Sequence, residues 1–262
     1  MCLAIIGIKT HKNFPVFIAA YREENPRRKT TPPRVILDGK AVVAGIDERE
    51  GGSWLGLNYS GMVLALANRR EKVRGKKASR DLLLTEALKA ENFEQLQSLL
   101  KKTAKKYTPF NLFYSNAVAA FVSSWNGKRL ITQRLTSGYY VLTALGLNDP
   151  KDPRVRRALE LVNKQQETAL PQDILPLDWR DLFFQFIQIL KDHEPDKPRE
   201  VALCRHDKMS RTVGSSLLTL ANRGASFGYF WHLSGSPCEA SYKDYTTLLK
   251  KLMTPSVSLV GN

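Results

Sequence analysis

The sequence predicts an α+β fold of antiparallel sheets with helices packed on their outer faces. Three observations carry that expectation. Strand-like and helix-like segments come in blocks (strands, helices, strands, helices, strands), without the regular βαβ alternation that a doubly wound parallel sheet requires. The 262 residues are 43% hydrophobic and 25% charged, a globular balance that argues against wholesale disorder and fibrous repeats. No internal repeat or low-complexity linker is visible, and the Pro- and Asp-rich patches at 149–153, 171–178 and 194–198 are only loop-length, so residues 1–262 read as one domain.

Each element has a local cause. Leu3 to Ile8 and Val16 to Ala20 are apolar runs separated by the polar Thr10–Asn13 stretch and Pro15, which predicts a hairpin starting at the second residue. Short β-like segments follow at Val35–Leu37, Ala41–Ala44, Ser53–Leu57 and Met62–Ala67, with turns from Gly51-Gly52 and Asn58–Gly61. Ser79 and Asn92 are N-cap residues ahead of amphipathic leucine spacing, predicting two helices. Leu112–Tyr114 and Ala117–Ser123 return as strands, with Asn126-Gly127 as a hairpin turn. Asp152-Pro153 begins a third helix and Asp178 or Trp179 a fourth. The last third predicts strands at Glu200–Cys204, Ser215–Leu220 and Ser226–His232, with a turn at Asn222-Arg223-Gly224.

Lysine and arginine number 40 against 25 acids, a net charge of +15 that favours anionic partners without saying which. The basic run Arg69, Arg70, Lys72, Arg74, Lys76, Lys77 and Arg80 is opposed only by Glu71 and suits an anionic head group. Further cations are spread over several predicted helices, which reads as solvated faces rather than a nucleic-acid groove. Three scattered cysteines exclude a disulfide framework and fit a reducing compartment. The amino terminus lacks the pattern of a signal peptide, and no segment approaches 18 uninterrupted apolar residues, so a cytoplasmic location is expected. The charge also allows transient contact with a membrane surface, and the oligomeric state is left open.

Cys2 is the leading candidate for chemistry. Removal of Met1 would leave a thiol and a free α-amine on one residue, a nucleophile and a base with reference pKa values of about 8.5 and 7.7–8.0. Read alone, Cys2 is more simply a small hydrophobe that starts a strand. Arg22, Glu23 and Glu24 follow the second predicted strand, where a hairpin brings a guanidinium and an acid back toward residue 2. His11, His193, His206 and His232 show no paired metal spacing, and Cys204-Arg205-His206 lacks a second pair, so no metal centre is expected. Phosphate-loop, dinucleotide and Gly-x-Ser-x-Gly motifs are absent.

Several of these segments, taken in order, resemble the NRDE family, also called the transport and Golgi organisation 2 (TANGO2) family. They are Met1-Cys2, Ala19-Ala20-Tyr21-Arg22-Glu23-Glu24, the run from Ala44 to Gly56, Leu66-Ala67-Asn68-Arg69 and Ser79-Arg80. Cys204-Arg205-His206, Arg211-Thr212 and Ser215-Ser216 are similar to the family's last paired strands. Tyr21 and Glu23 stand where the motif has asparagine and aspartate, and Leu142-Thr143-Ala144 stands where relatives have Leu-Ser-Asn. The resemblance implies an αββα sandwich of the N-terminal nucleophile (Ntn) hydrolase type. It further implies Cys2 as nucleophile, Arg22 beside the thiolate, Glu23 as the acid near the amine, Asn68 as an oxyanion donor and Arg211 as a second cation. The ligand-binding set is then Arg22, Arg69, Arg70, Lys72 and Arg211. The function it implies is handling of an amphipathic anion, haem first and acyl-CoA second. No cofactor is required, and haem enters only as bound cargo. The rival expectation is a cysteine hydrolase of an amide or (thio)ester.

Overall fold

The computed structural model describes residues 3–38, 40–71, 73–168, 178–193, 201–222 and 224–253. In chain order the first strands are β1 (Leu3–Ile8), β2 (Val16–Glu24), β3 (Thr30–Asp38), β4 (Lys40–Asp47), β5 (Leu55–Asn58) and β6 (Val63–Asn68). Helices α1 (Arg80–Ala87) and α2 (Phe93–Thr103) precede β7 (Phe110–Ser115), β8 (Ala120–Trp125), β9 (Leu130–Leu135) and β10 (Gly138–Thr143). Then come α3 (Pro153–Thr168), α4 (Trp179–Leu190), β11 (Arg211–Ala221), β12 (Gly224–Ser234), β13 (Lys243–Asp244) and α5 (Thr246–Met253).

The strands form two antiparallel sheets, one in the order β10-β1-β2-β11-β12-β13 and the other running β3 through β9 in sequence. Strand alternation sorts the side chains of β1 and β2 into two layers. Ala4, Ile6, Ile18 and Ala20 pack with Val63, Ala65 and Phe113 between the sheets. Leu3, Ile5, Phe17, Ala19 and Tyr21 face outward onto Phe183, Phe186 and Leu190 of α4 and Val155 and Val162 of α3. On the opposite outer face, Leu83, Leu84, Leu96 and Leu100 of α1 and α2 cover Leu64, Leu66 and Leu112. Each such large apolar side chain contributes about 1.5–3 kcal/mol by leaving water, so every layer of this α+β sandwich is held by its own core. Pro32 and Pro33 sit in β3 at a sheet edge, in the irregularity between Thr31 and Arg34 where the β3–β4 register shifts.

The predicted hairpin forms, with Leu3 opposite Tyr21 and Ile8 opposite Val16. Ser79, Asn92 and Asp178 cap their helices as expected, each side-chain oxygen accepting a backbone N–H. Three expectations need correction. Residues 201–204 are not a strand, because the amides of Leu203 and Cys204 both donate to the Asp192 carbonyl at 3.0 and 2.9 Å. The strand placed at Ala117 begins at Ala120, since the Asn116 side chain takes the amides of Val118 and Ala119 into a turn. The fifth helix was not anticipated, and its Leu249 and Leu252 close one side of the inter-sheet core. Glu200 and Arg223 lie outside the described residues. Among the described residues no helix is long and apolar enough to cross a membrane.

Candidate functional site

The site grows from the end of β2. Arg22 shares the even parity of Ile18 and Ala20, so its side chain enters the space between the sheets, where it is 3% exposed. A guanidinium in that position must be paired. Asp47, at the end of β4, supplies the carboxylate and is fully buried. Trp54 lies under the guanidinium at 4.7 Å from the ring centroid, a cation–π contact. The Arg28 Nε stands 2.7 Å from the same Asp47 carboxylate, and its Nη1 donates to Glu24 at 2.8 Å.

Local sequence explains why Asp47 is there. Its side chain accepts the amides of Arg49 and Glu50, both at 3.0 Å, in a turn closed by Gly51 at φ 69°. A Cβ on Gly52 would land on the Asp81–Leu82 peptide, so only glycine lets this turn lie against the start of α1. The Ser53 amide then donates to the Asp81 carbonyl at 3.0 Å. The Gly51-Gly52 pair read as a simple turn is therefore what docks the acid loop onto α1 beneath Arg22.

The charges respond as this packing requires. Burial lowers the Arg22 pKa, while Asp47 and Glu24 oppose that and keep it charged. Burial raises Asp47, but amide bonds from the turn and the two arginines outweigh it and leave its pKa below the ordinary carboxylate value. Burial pushes the Asp81 carboxyl up despite Arg28 and Arg80, so this acid holds its proton more readily than an ordinary aspartate.

Around these groups lies a pocket of about 260 Å³, lined by Arg22, Glu23, Glu24, Arg28, Glu50, Asn68, Lys77, Ser79, Arg80, Asp81 and Thr108. Two features of its wall matter chemically. Arg22 Nη1 is buried with no hydrogen-bond partner among the described residues, a spare donor held in place. Asn68, at the end of β6 opposite Phe110, is part of the wall.

The structure thus brings Arg22, Glu23 and Asn68 to one pocket. Glu23 points toward the helical layer, where Arg154 of α3 donates to it at 2.6 Å and also contacts Asp152. Arg69 turns away, its Nε donating to Glu71 at 2.9 Å and its Nη1 to Asn111 at 3.1 Å, and Arg70 is exposed. Neither lines the pocket, whereas Lys77 and Arg80 of the same basic run do. Arg211 stands opposite Glu24 in the β11–β2 ladder, but its guanidinium goes to Ser236 and Glu239, outside the pocket lining. Cys2 and Lys72 lie outside the described residues.

Asp47, Trp54, Arg28 and Asp81 were not singled out from sequence. Asp47 and Trp54 do fall in the conspicuous run from Ala44 to Gly56, whose two glycines were the available signal. Asn111 is a further unanticipated member. Fully buried, it donates to the Thr143 carbonyl at 2.9 Å and so ties the second sheet to the first beside the start of β1.

Two antiparallel sheets stacked between helical layers, with the chain start entering a central strand, define the Ntn hydrolase fold. Solved structures agree. The penicillin V acylase from Agrobacterium tumefaciens matches with a TM-score of 0.53 at 12% identity, over 95% of this chain and 88% of that one. The mutant C2A conjugated bile acid hydrolase from Clostridium perfringens matches with a TM-score of 0.58 at 12% identity, over 95% and 94%. The Caenorhabditis elegans ortholog of N-acylethanolamine-hydrolyzing acid amidase gives 0.51 at 10% identity, over 82% and 92%. At such identity they establish the fold alone. The family is established by sequence: the family model described as TANGO2, Transport and Golgi organisation 2, matches residues 1–245, and the chain belongs to that family. No curated protein matches.

Proposed function

We propose that this pocket is an acyl-transfer site of the Ntn type, acting on the amide or thioester carbonyl of an anionic acyl compound with Cys2 as nucleophile. The observation that carries the reading is the buried Arg22, whose Nη1 has no hydrogen-bond partner among the described residues. Cys2 is one peptide bond from Leu3, which stands opposite Tyr21, and Arg22 is the next residue along β2. A fixed guanidinium there favours a thiolate over a thiol. The thiolate attacks the carbonyl carbon, and the α-amine of a chain freed of Met1 takes the thiol proton and returns it to the departing amine or thiol. Water then cleaves the acyl–sulfur bond and restores Cys2. Asn68 supplies an amide N–H for the oxyanion. The fold of the penicillin V acylase and bile acid hydrolase structures supports this reading.

The test is turnover of a panel of acyl thioesters and N-acyl compounds by the full-length protein. Wild type is expected to hydrolyse at least one class, Cys2→Ala none, and Arg22→Lys to lower kcat with KM little changed. Full activity in Cys2→Ala would overturn the reading.

A second reading, ligand handling without chemistry, is favoured by Lys77 and Arg80 on the pocket wall beside the exposed Arg74 and Lys76. A polar pocket of about 260 Å³ suits the carboxylate or phosphate end of an amphipathic anion such as haem or acyl-CoA, with its apolar body outside. Lys77→Glu with Arg80→Glu is then expected to weaken binding of either ligand at low salt, and Cys2→Ala to leave it intact. Unchanged affinity in the charge-reversed protein would exclude this reading.

A further inference from the structure

The structure assigns a second site, distinct from the pocket: a zinc-type divalent metal centre formed by His193, Cys204, His206 and Cys238. One ligand atom from each of these residues can be chosen so that all four lie within 4.8 Å of one another. The Cys204 and Cys238 sulfurs are 3.6 Å apart, and His206 Nε2 is 3.5 Å from the first and 3.1 Å from the second.

The sulfur–sulfur and Cys204–His206 separations match a shared ion, and Cys238 stands slightly closer to His206 than bound ligands would. A tetrahedral centre with metal–sulfur bonds of about 2.3 Å and metal–nitrogen bonds of about 2.0 Å places its sulfurs about 3.8 Å apart and sulfur from nitrogen about 3.6 Å. A disulfide would need the sulfurs at about 2.05 Å, and Cys204 and Cys238 are both free thiols. Two thiolates and two imidazoles in tetrahedral array are the donor set of structural zinc, and they select it over calcium or magnesium, which take oxygen ligands.

The surrounding contacts fix the histidines for this role. His206 Nδ1 lies 3.3 Å from a Glu239 carboxylate oxygen, while its Nε2 faces the two sulfurs. That is the carboxylate–histidine arrangement that sets the ring and tautomer in metal sites. His193 Nδ1 contacts the Lys191 carbonyl, which leaves Nε2 as its donor atom. Glu239 is in turn held by Arg211. The four ligands come from three places: the residues just after α4, the segment leading into β11 and the loop after β12. No short motif shows the set, because Cys238 lies far from the other three ligands along the chain and His193 precedes Cys204 by more than the spacing of a paired metal motif. An ion there would pin the start of β11 to α4.

The test is metal analysis of full-length protein purified without chelator under reducing conditions. About one zinc per chain is expected, retained through gel filtration. Stripping with a chelator should lower Tm and turn Cys204 and Cys238 from unreactive to reactive toward a thiol reagent. Reloading with Co(II) should give the intense visible d–d bands of a tetrahedral site and thiolate-to-cobalt charge transfer. Cys238→Ser and His206→Ala are each expected to lose the metal, and because the chelation arm uses wild type, misfolding of a variant cannot mimic the result. Absence of zinc together with a featureless cobalt spectrum would overturn the assignment, as would a Cys204–Cys238 disulfide in place of metal in the reduced preparation.

Discussion

Asp47→Ala tests whether the site stands on a buried charge clamp. Asp47 is fully buried and Arg22 keeps only 4% of its side chain in contact with solvent, so removing the carboxylate strands a cation with little water to replace it. Breaking a buried pair in this way costs about 3–5 kcal/mol. The amides of Arg49 and Glu50 also lose their acceptor, which adds to the cost. A total of at least about 4 kcal/mol corresponds to a fall in Tm of at least about 8–16 °C for a chain of this size. Asp47→Asn keeps an oxygen for the two amides but not the charge, and should lie between. The pH dependence carries a sign. Asp47 has a lowered pKa in the folded state, so its stabilisation is fully present above the unfolded value of about 3.9 and is lost as pH falls through the folded value. Urea unfolding should therefore show a constant gap between wild type and Asp47→Asn above about pH 5 that closes below about pH 4. A loss of less than about 1 kcal/mol at neutral pH in Asp47→Ala would refute the clamp, because an exposed pair is worth no more than that.

Two further outcomes follow from the same physics. Glu23 and Arg154 form a pair whose side chains are 5% and 6% exposed, and Arg154 also reaches the buried Asp152 at 3.3 Å, so Arg154→Ala, which strands both carboxylates, should cost about 3–5 kcal/mol, and Glu23→Ala, which leaves Arg154 paired with Asp152, less; chemical denaturation of both variants checks this. His232 is buried against the Ser216 hydroxyl at 2.9 Å, and burial lowers its pKa to about 4. The unfolded chain takes up that proton near pH 6.5, so stability should fall by on the order of 3 kcal/mol between pH 6.5 and 4, and His232→Gln should lack that slope.

Much of the architecture was legible because its causes are local. Continuous apolar runs marked β1 and β2, and Ser79, Asn92 and Asp178 marked helix starts through their capping oxygens. Strand β9 was not delineated because four of its six residues face solvent, which removes the alternation that marks a half-buried strand. Val201–Cys204 misled for the opposite reason: its apolar side chains suit a strand, yet the amides of Leu203 and Cys204 are claimed by one carbonyl at the end of α4. Arg22 and Glu23 were visible as a charged strand end. Their partners were not, since Asp47 and Arg154 meet them only once the sheets and helices have packed. The four residues proposed for the metal were hidden in the same way.

The central claim is most directly tested by the intact mass of the purified protein before and after exposure to an acyl thioester. The expected result is a chain that begins at Cys2 and gains one acyl group on that residue, with Arg22→Lys slowing the gain. Retained Met1 on protein that still turns over substrate, or an acyl group on any other residue, would contradict it.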